Sequence, residues 1–219
     1  FYPKPLRTMS INVDNLTKTY GSQQAIAGLS FEVKQGEIVG FLGPNGAGKS
    51  TTMKILTGYL KPTSGVATVY GNNVASKPME VKNKVGYLPE HNPLYLDMYI
   101  KEFLQFMANI YRVKDKNRIE EVIALVGLQR EQHKKIGQLS KGYRQRVGLA
   151  QAIFHDPEVL ILDEPTTGLD PNQLVEIRNL IKTIGKNKTV ILSTHIMQEV
   201  ENLCDRVIIL SKGELKQRN

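Results

Sequence analysis

The stretch FLGPNGAGKST, Phe41 to Thr51, decides how this chain is read. An apolar run, EIVGFL, ends in a glycine-rich turn, and a helix begins at Lys49, so strand, turn and helix follow in that order. Gly43, Gly46 and Gly48 carry no Cβ, which lets the backbone from Gly43 through Pro44, Asn45, Gly46, Ala47 and Gly48 wrap a phosphate chain with its N–H groups pointing inward. The helix N-terminus that follows adds its dipole to the attraction for an anion. In the pattern GxxxxGK[ST], Lys49 reaches the β- and γ-phosphates, and the Ser50 hydroxyl, followed by Thr51, ligates magnesium. The stretch therefore predicts a nucleoside triphosphate site with Mg2+.

Such a site needs carboxylates, and VLILDEPTTGLD, Val159 to Asp170, supplies them at the end of a continuous apolar run. Buried aliphatics before Asp163 imply a central strand whose C-terminal end meets the ligand crevice. Asp163 is then placed to hold the magnesium shell and Glu164 to polarise the attacking water.

Around these two motifs the chain alternates. INVDNLT, LSFEV and EIVGFL read as strands, followed by the helix from Lys49, the strand VLILD, a helix from Gln173 to Ile184, the strand TVILST, a helix around Ile196 to Leu203 and the strand RVIIL. That order predicts an α/β domain. Met98 to Leu128 reads differently, because YIKEFLQFMANIY and NRIEEVIALVGL carry apolar residues at helical spacing and no strand signal precedes the next helix at Gly142. The expected organisation is a leader or expression remnant at residues 1–8 and a single nucleotide-binding domain over 9–219, with a helical insert at about 95–155. Phe103, Phe106 and Met107 within the insert are expected to face its core.

The 219 residues, 41% of them hydrophobic, are enough to bury a sizeable core without disulfides or structural metals. The single cysteine, Cys204, excludes an intramolecular disulfide framework, and its expected role is packing. No window approaches the uninterrupted apolar length of a membrane span, and no apolar signal-peptide core stands at the start, so a cytoplasmic location is expected. The formal charge of +8 is spread along the chain instead of forming one run, which predicts a solvated surface and no nucleic-acid partner.

A third stretch, LSKGYRQR, narrows the reading. Together with FLGPNGAGKST before it and LILDEPTTGLD after it, it resembles the ATP-binding subunit of ABC transporters, whose signature is LSGGQ followed by an arginine-rich helix. The resemblance covers Ile11 to Gly213. It implies an α/β P-loop core with an antiparallel β subdomain and an all-α helical subdomain, and ATP with Mg2+ as ligands. It further implies that two copies close head to tail on ATP binding, so that Ser140, Lys141 and Gly142 of one copy complete the phosphate site of the other. Tyr20 matches the aromatic that stacks on adenine, Asp170 the loop that signals between the two sites, and His195 the histidine that contacts the γ-phosphate.

Two positions depart from the family pattern. Lys141 replaces a glycine and is expected to add a cation near the partner's phosphate. Glu90, in VGYLPEHNP, stands where most of these subunits carry a glutamine that touches a magnesium water and couples nucleotide state to the membrane subunit. Glutamate keeps an oxygen ligand there but adds charge beside Asp163 and Glu164.

The resemblance is strongest to exporter ATPases that pair with a separate six-helix permease at the inner face of the cell membrane. Within them GYLPEHNPLYLDMY and LDPNQLVEIRNLI resemble the ATPase of Bacteroidetes gliding-motility transporters. Such subunits usually continue past a turn like KGELKQRN into a C-terminal extension. The alternative reading is a DNA-repair or chromosome-maintenance ATPase with the same split site. Those insert a long coiled coil between the glycine loop and the signature, and the interval from Lys49 to Leu139 carries no sustained heptads.

Overall fold

A computed structural model describes residues 9–115 and 117–218; the expected leader, residues 1–8, lies outside them. Along the chain, β1 (Met9–Tyr20), β2 (Gln23–Lys34) and β3 (Ile38–Leu42) lead into α1 (Lys49–Leu56). Next come β4 (Ser64–Val69), β5 (Asn72–Asn73), α2 (Pro78–Lys84) and β6 (Val85–Leu88). Helices α3 (Ile100–Tyr111), α4 (Arg118–Leu125) and α5 (Lys141–Ile153) follow, with a 3-10 turn at Ile136–Gln138. The remainder alternates β7 (Val159–Asp163), α6 (Pro171–Gly185), β8 (Thr189–Thr194), α7 (Met197–Leu203), β9 (Arg206–Ser211) and β10 (Glu214–Arg218).

The strands form two sheets. A four-stranded antiparallel sheet has the order β2-β1-β4-β5, and a six-stranded sheet has the order β10-β9-β3-β8-β7-β6, parallel except at the β10 edge. Successive side chains on a strand point to opposite faces, and the central strands use both. Leu160 and Leu162 of β7, with Val190 and Leu192 of β8, join the helices α3, α5 and α6 in one core. Val159, Ile161 and Ile191 join α1 and the antiparallel sheet in the other. Burial on both faces explains why VLILD and TVILST are continuous apolar runs. No helix among the described residues is long and apolar enough to cross a membrane.

The expected α/β order holds, and between Ile100 and Ile153 the regular elements are helical only. Several boundaries differ. Helix α5 begins at Lys141 rather than Gly142, because the Ser140 side chain caps it by accepting from the Tyr143 N–H. Helix α6 begins at Pro171 rather than Gln173, with Asp170 as N-cap and proline in the first turn, where its missing N–H loses nothing. Strands β4, β5, β6 and β10 and helix α2 were not anticipated, being short and interrupted by glycine, asparagine or lysine. Phe103 and Met107 are buried as expected, but Phe106 is exposed and packs edge-on against Tyr95. Cys204 packs against Gly40, and burial pushes its thiol up to about 12, as suits a packing residue.

The contact between β6 and α5 fixes the helical segment to the sheet, and it depends on Gly86. A Cβ there would overlap the Ala152 carbonyl oxygen and press on Leu160. Gly86→Ala is therefore expected to destabilise the fold by about 3 kcal/mol and to lower the thermal midpoint by roughly 6–12 °C. Thermal unfolding followed by circular dichroism checks this, and an unchanged midpoint contradicts it.

Candidate functional site

Parallel strands end their ladders at one edge, so the loops that follow them converge. Leu42 of β3 pairs with Thr194 of β8, and Asp163 of β7 pairs with Ser193 of β8. The glycine turn, the carboxylates and His195 therefore emerge side by side. Gly48, at φ +99° and with Ala25 O only 2.6 Å from where a Cβ would stand, lets the turn press against β2 before α1 begins.

Lys49 is buried at the bottom of this turn. Its ammonium donates to Gly43 O at 2.6 Å and Pro44 O at 3.3 Å, and lies 3.5 Å from Glu164 Oε1. Ser50 Oγ donates to Asp163 Oδ1 at 3.1 Å, and Ser193 Oγ donates to the same oxygen at 2.5 Å while accepting from the Glu164 N–H at 2.9 Å. A hydroxyl and a carboxylate held this close form an oxygen donor pair suited to a hard cation such as Mg2+. Among the described residues no group of three or more His, Cys, Asp or Glu could hold a metal by itself.

Glu164 occupies a left-handed backbone conformation, φ +49°, that a glutamate rarely adopts. Ser193 at its N–H and Thr167, whose N–H bonds its carbonyl at 3.2 Å, hold it there. Its two carboxylate oxygens differ. Oε2 accepts from Thr167 Oγ1 at 2.9 Å and sits 3.0 Å from His195 Nδ1, whereas Oε1 is buried with no hydrogen-bond partner, the Lys49 contact being too long to serve as one. An ionised Glu164 can only accept, so Nδ1 of His195 then carries the hydrogen and Nε2 is left free. The arrangement leaves one carboxylate oxygen without a hydrogen bond beside Lys49 while the other is held by Thr167 and His195.

That cleft, about 440 Å³, is lined by Tyr20, Asn45, Gly46, Ala47, Gly48, Lys49, Ser50, Thr51, Glu90 and Glu164. Gly43 and Pro44 lie beneath it and hold Lys49; Asp163 is reached through Ser50. Tyr20 stands half exposed at its rim, with Lys18 Nζ 5.2 Å above its ring. Glu90 is exposed and borders the cleft. Ser140, Lys141, Gly142 and Asp170 do not line it. Gly142 and Tyr143 border a separate, smaller depression of about 200 Å³ with Gln173 and Glu176, and Asp170 caps α6. Lys141 is exposed at the start of α5. Its ammonium takes the place a Cβ on Gly168 would fill, because a glycine leaves room for the long stem to lie along the loop.

Ser193, Thr167, Gln145 and Tyr87 escaped the sequence reading. Ser193 was signalled only by its place at the end of TVILST beside Asp163. The phenol of Tyr87 is buried without a partner on β6; burial first, then the charges of Asp163 and Glu90, push it above its ordinary value, so it stays neutral.

A family model described as ABC transporter matches residues 26–167. The chain is 45% identical over 207 residues to the bacitracin transport ATP-binding protein BcrA of Bacillus licheniformis, covering 94% of this chain and 68% of that one. It is 40% identical over 211 residues to the Nod factor export ATP-binding protein I of Rhizobium meliloti, covering 94% and 63%. Among solved structures, a dimeric post-hydrolysis ATP-binding cassette bound to ADP and phosphate superposes with a TM-score of 0.86 at 27% identity, covering 95% of this chain and 97% of that one.

Proposed function

This chain belongs to the ABC transporter family and is an ATP-binding, ATP-hydrolysing subunit that uses Mg2+, and on that premise we propose that two copies close head to tail over two ATP molecules to drive export through a separate permease. One observation carries this reading. The cleft holds the phosphate loop and a carboxylate with a free oxygen, while Ser140 and Gly142, at the N-terminus of α5, face elsewhere on the same chain. A helix N-terminus with a serine cap is suited to a phosphate, and on this reading it serves a second copy's nucleotide.

On this reading the residues divide the work as follows. The backbone from Gly43 to Gly48 surrounds the phosphates, and Lys49 exchanges its carbonyl partners for phosphate oxygens. Ser50 and Asp163 would hold Mg2+, which would neutralise phosphate charge when bound. Glu164 Oε1 takes the proton of the attacking water, and His195 approaches the γ-phosphate through Nε2. Tyr20 receives the adenine face, and Asp170 reports across the dimer. The single domain is residues 9–219 with its helical subdomain at about 95–155.

Transfer of the closing motion to a permease is supported by a groove of about 880 Å³ between the core and the helical segment. It is lined by Tyr59, Met79, Ile110 and Tyr111, an exposed cluster of large side chains suited to a protein partner, together with Lys82 and Arg112. The loop after β6 touches both places, because Pro89, Asn92 and Pro93 line the groove and Glu90 lines the cleft. Ile110→Asp is expected to keep phosphate release within about twofold, since Ile110 touches no nucleotide residue, and to abolish co-purification with the permease through a buried unpaired charge. Undiminished co-purification overturns the groove as the docking site.

Docking there puts the subunit at the inner face of the membrane. The transporter relatives set aside the DNA-repair alternative. The narrower likeness to gliding-motility exporters rests on GYLPEHNPLYLDMY and LDPNQLVEIRNLI, and loss of gliding on deletion of the gene in its host tests it.

A further inference from the structure

Three residues on one face of α5 grip the loop that follows Glu164. Lys141, Gly142 and Gln145 are spaced i, i+1 and i+4, so Lys141 and Gln145 stand one turn apart. Lys141 lies along Gly168. Gly142 approaches the Gln173 side chain so closely that a Cβ would stand 2.8 Å from its Oε1, and Gln173 is itself tied to Asp170 through its N–H at 2.9 Å. Gln145 Nε2 donates to the carbonyl oxygen of Pro165 at 2.7 Å. Of the three contacts made by α5 itself, the Gln145 bond is the hydrogen bond among the described residues, and it falls on the carbonyl of the residue directly after Glu164.

We propose that Gln145 is a positioning residue that ties the setting of Glu164 to the signature helix of its own subunit, so that each carboxylate responds to the nucleotide held by the partner copy. The inference rests on the head-to-tail reading above, in which Ser140 and Gly142 sit on the other copy's ATP. A phosphate arriving at the start of α5 pulls on that helix, and the Gln145 bond carries the pull to Pro165 and hence to a glutamate held in an unfavourable backbone conformation. Without the bond the loop keeps its fold through Gly142 and Gln173, but the carboxylate no longer follows the helix. The predicted signature is lost communication between sites with intact nucleotide binding.

The test compares Gln145→Met, which keeps length and volume without a donor, with Gln145→Lys, which restores a donor. Phosphate release is measured against ATP concentration, melting temperature is recorded, and ATP-driven dimerisation is measured in a Glu164→Gln background. Gln145→Met is expected to lower kcat about tenfold, the worth of one hydrogen bond in this range. Its KM should stay within about twofold and its Hill coefficient should fall toward 1, while Gln145→Lys recovers at least half of the loss. The Glu164→Gln dimer should form equally with Gln145 or Met. An unchanged kcat and Hill coefficient in Gln145→Met overturn the proposal, as does an equal loss in both variants with a lowered melting temperature, which marks a merely structural role. If Glu164→Gln with native Gln145 stays monomeric, the head-to-tail reading itself has failed and takes this inference with it.

Discussion

Glu164→Gln is expected to lower phosphate release at least a thousandfold while leaving ATP binding within a few-fold of the wild type. General-base assistance contributes roughly 10²–10⁴, and the amide removes the base while keeping shape and hydrogen-bonding capacity. The substitution suits the site because Oε2 already accepts from Thr167 and a glutamine oxygen can still do so. The oxygen without a partner, Oε1, is the atom whose basicity is lost. Steady-state phosphate release with saturating MgATP checks the rate, and titration with a fluorescent ATP analogue checks the binding. A variant that retains a tenth of wild-type turnover contradicts the assignment and points to another proton acceptor in the cleft, of which Glu90 is the nearest in kind.

Lys49→Ala is expected to fail earlier, at binding. The ammonium is buried and already makes two bonds to the loop's own carbonyls, so it stands in place before any phosphate arrives. Charge-assisted hydrogen bonds are worth about 1.5–3 kcal/mol each, and two of them to phosphate oxygens amount to a loss of ATP affinity of about a hundredfold or more. Removing the ammonium also leaves Glu164 buried without its nearest cation, which acts in the same direction on an anionic ligand. Calorimetric titration with MgATP should show the affinity fall. Affinity within about threefold of the wild type contradicts the placement of Lys49 against the phosphates.

The pairing of FLGPNGAGKST with VLILDEPTTGLD could be read without coordinates because both are punctuated by residues with narrow physical uses. Glycines open a turn, a lysine opens a helix, and an aspartate closes a fully apolar strand. The helix read from Gln173 starts two residues earlier, at Pro171, because Asp170 caps it. The antiparallel subdomain was implied only by resemblance, since β4 begins with Ser64 and Gly65 and β5 is two residues long. Such strands are defined by their neighbours rather than by their own composition.

Within the site, the residues that escaped were those whose task is set by a partner far along the chain. Ser193 matters because β8 lies beside β7, which puts its hydroxyl between Asp163 and the Glu164 N–H. Gln145 matters because α5 runs along the Pro165 loop. Lys141 could be read as an added cation, and only the space beside Gly168 shows where its stem lies. Side-chain chemistry can be read locally, whereas a hydrogen bond across twenty or more residues requires the topology.

The most direct test of the proposed head-to-tail site is the molar mass of Glu164→Gln by light scattering with MgATP, compared with the same variant carrying Ser140→Arg, which places a bulky side chain at the cap of α5. The account predicts a doubling of mass on ATP addition for Glu164→Gln and none for the double variant. Equal behaviour of the two, whether both double or both stay monomeric, contradicts a site completed by Ser140 of a second copy.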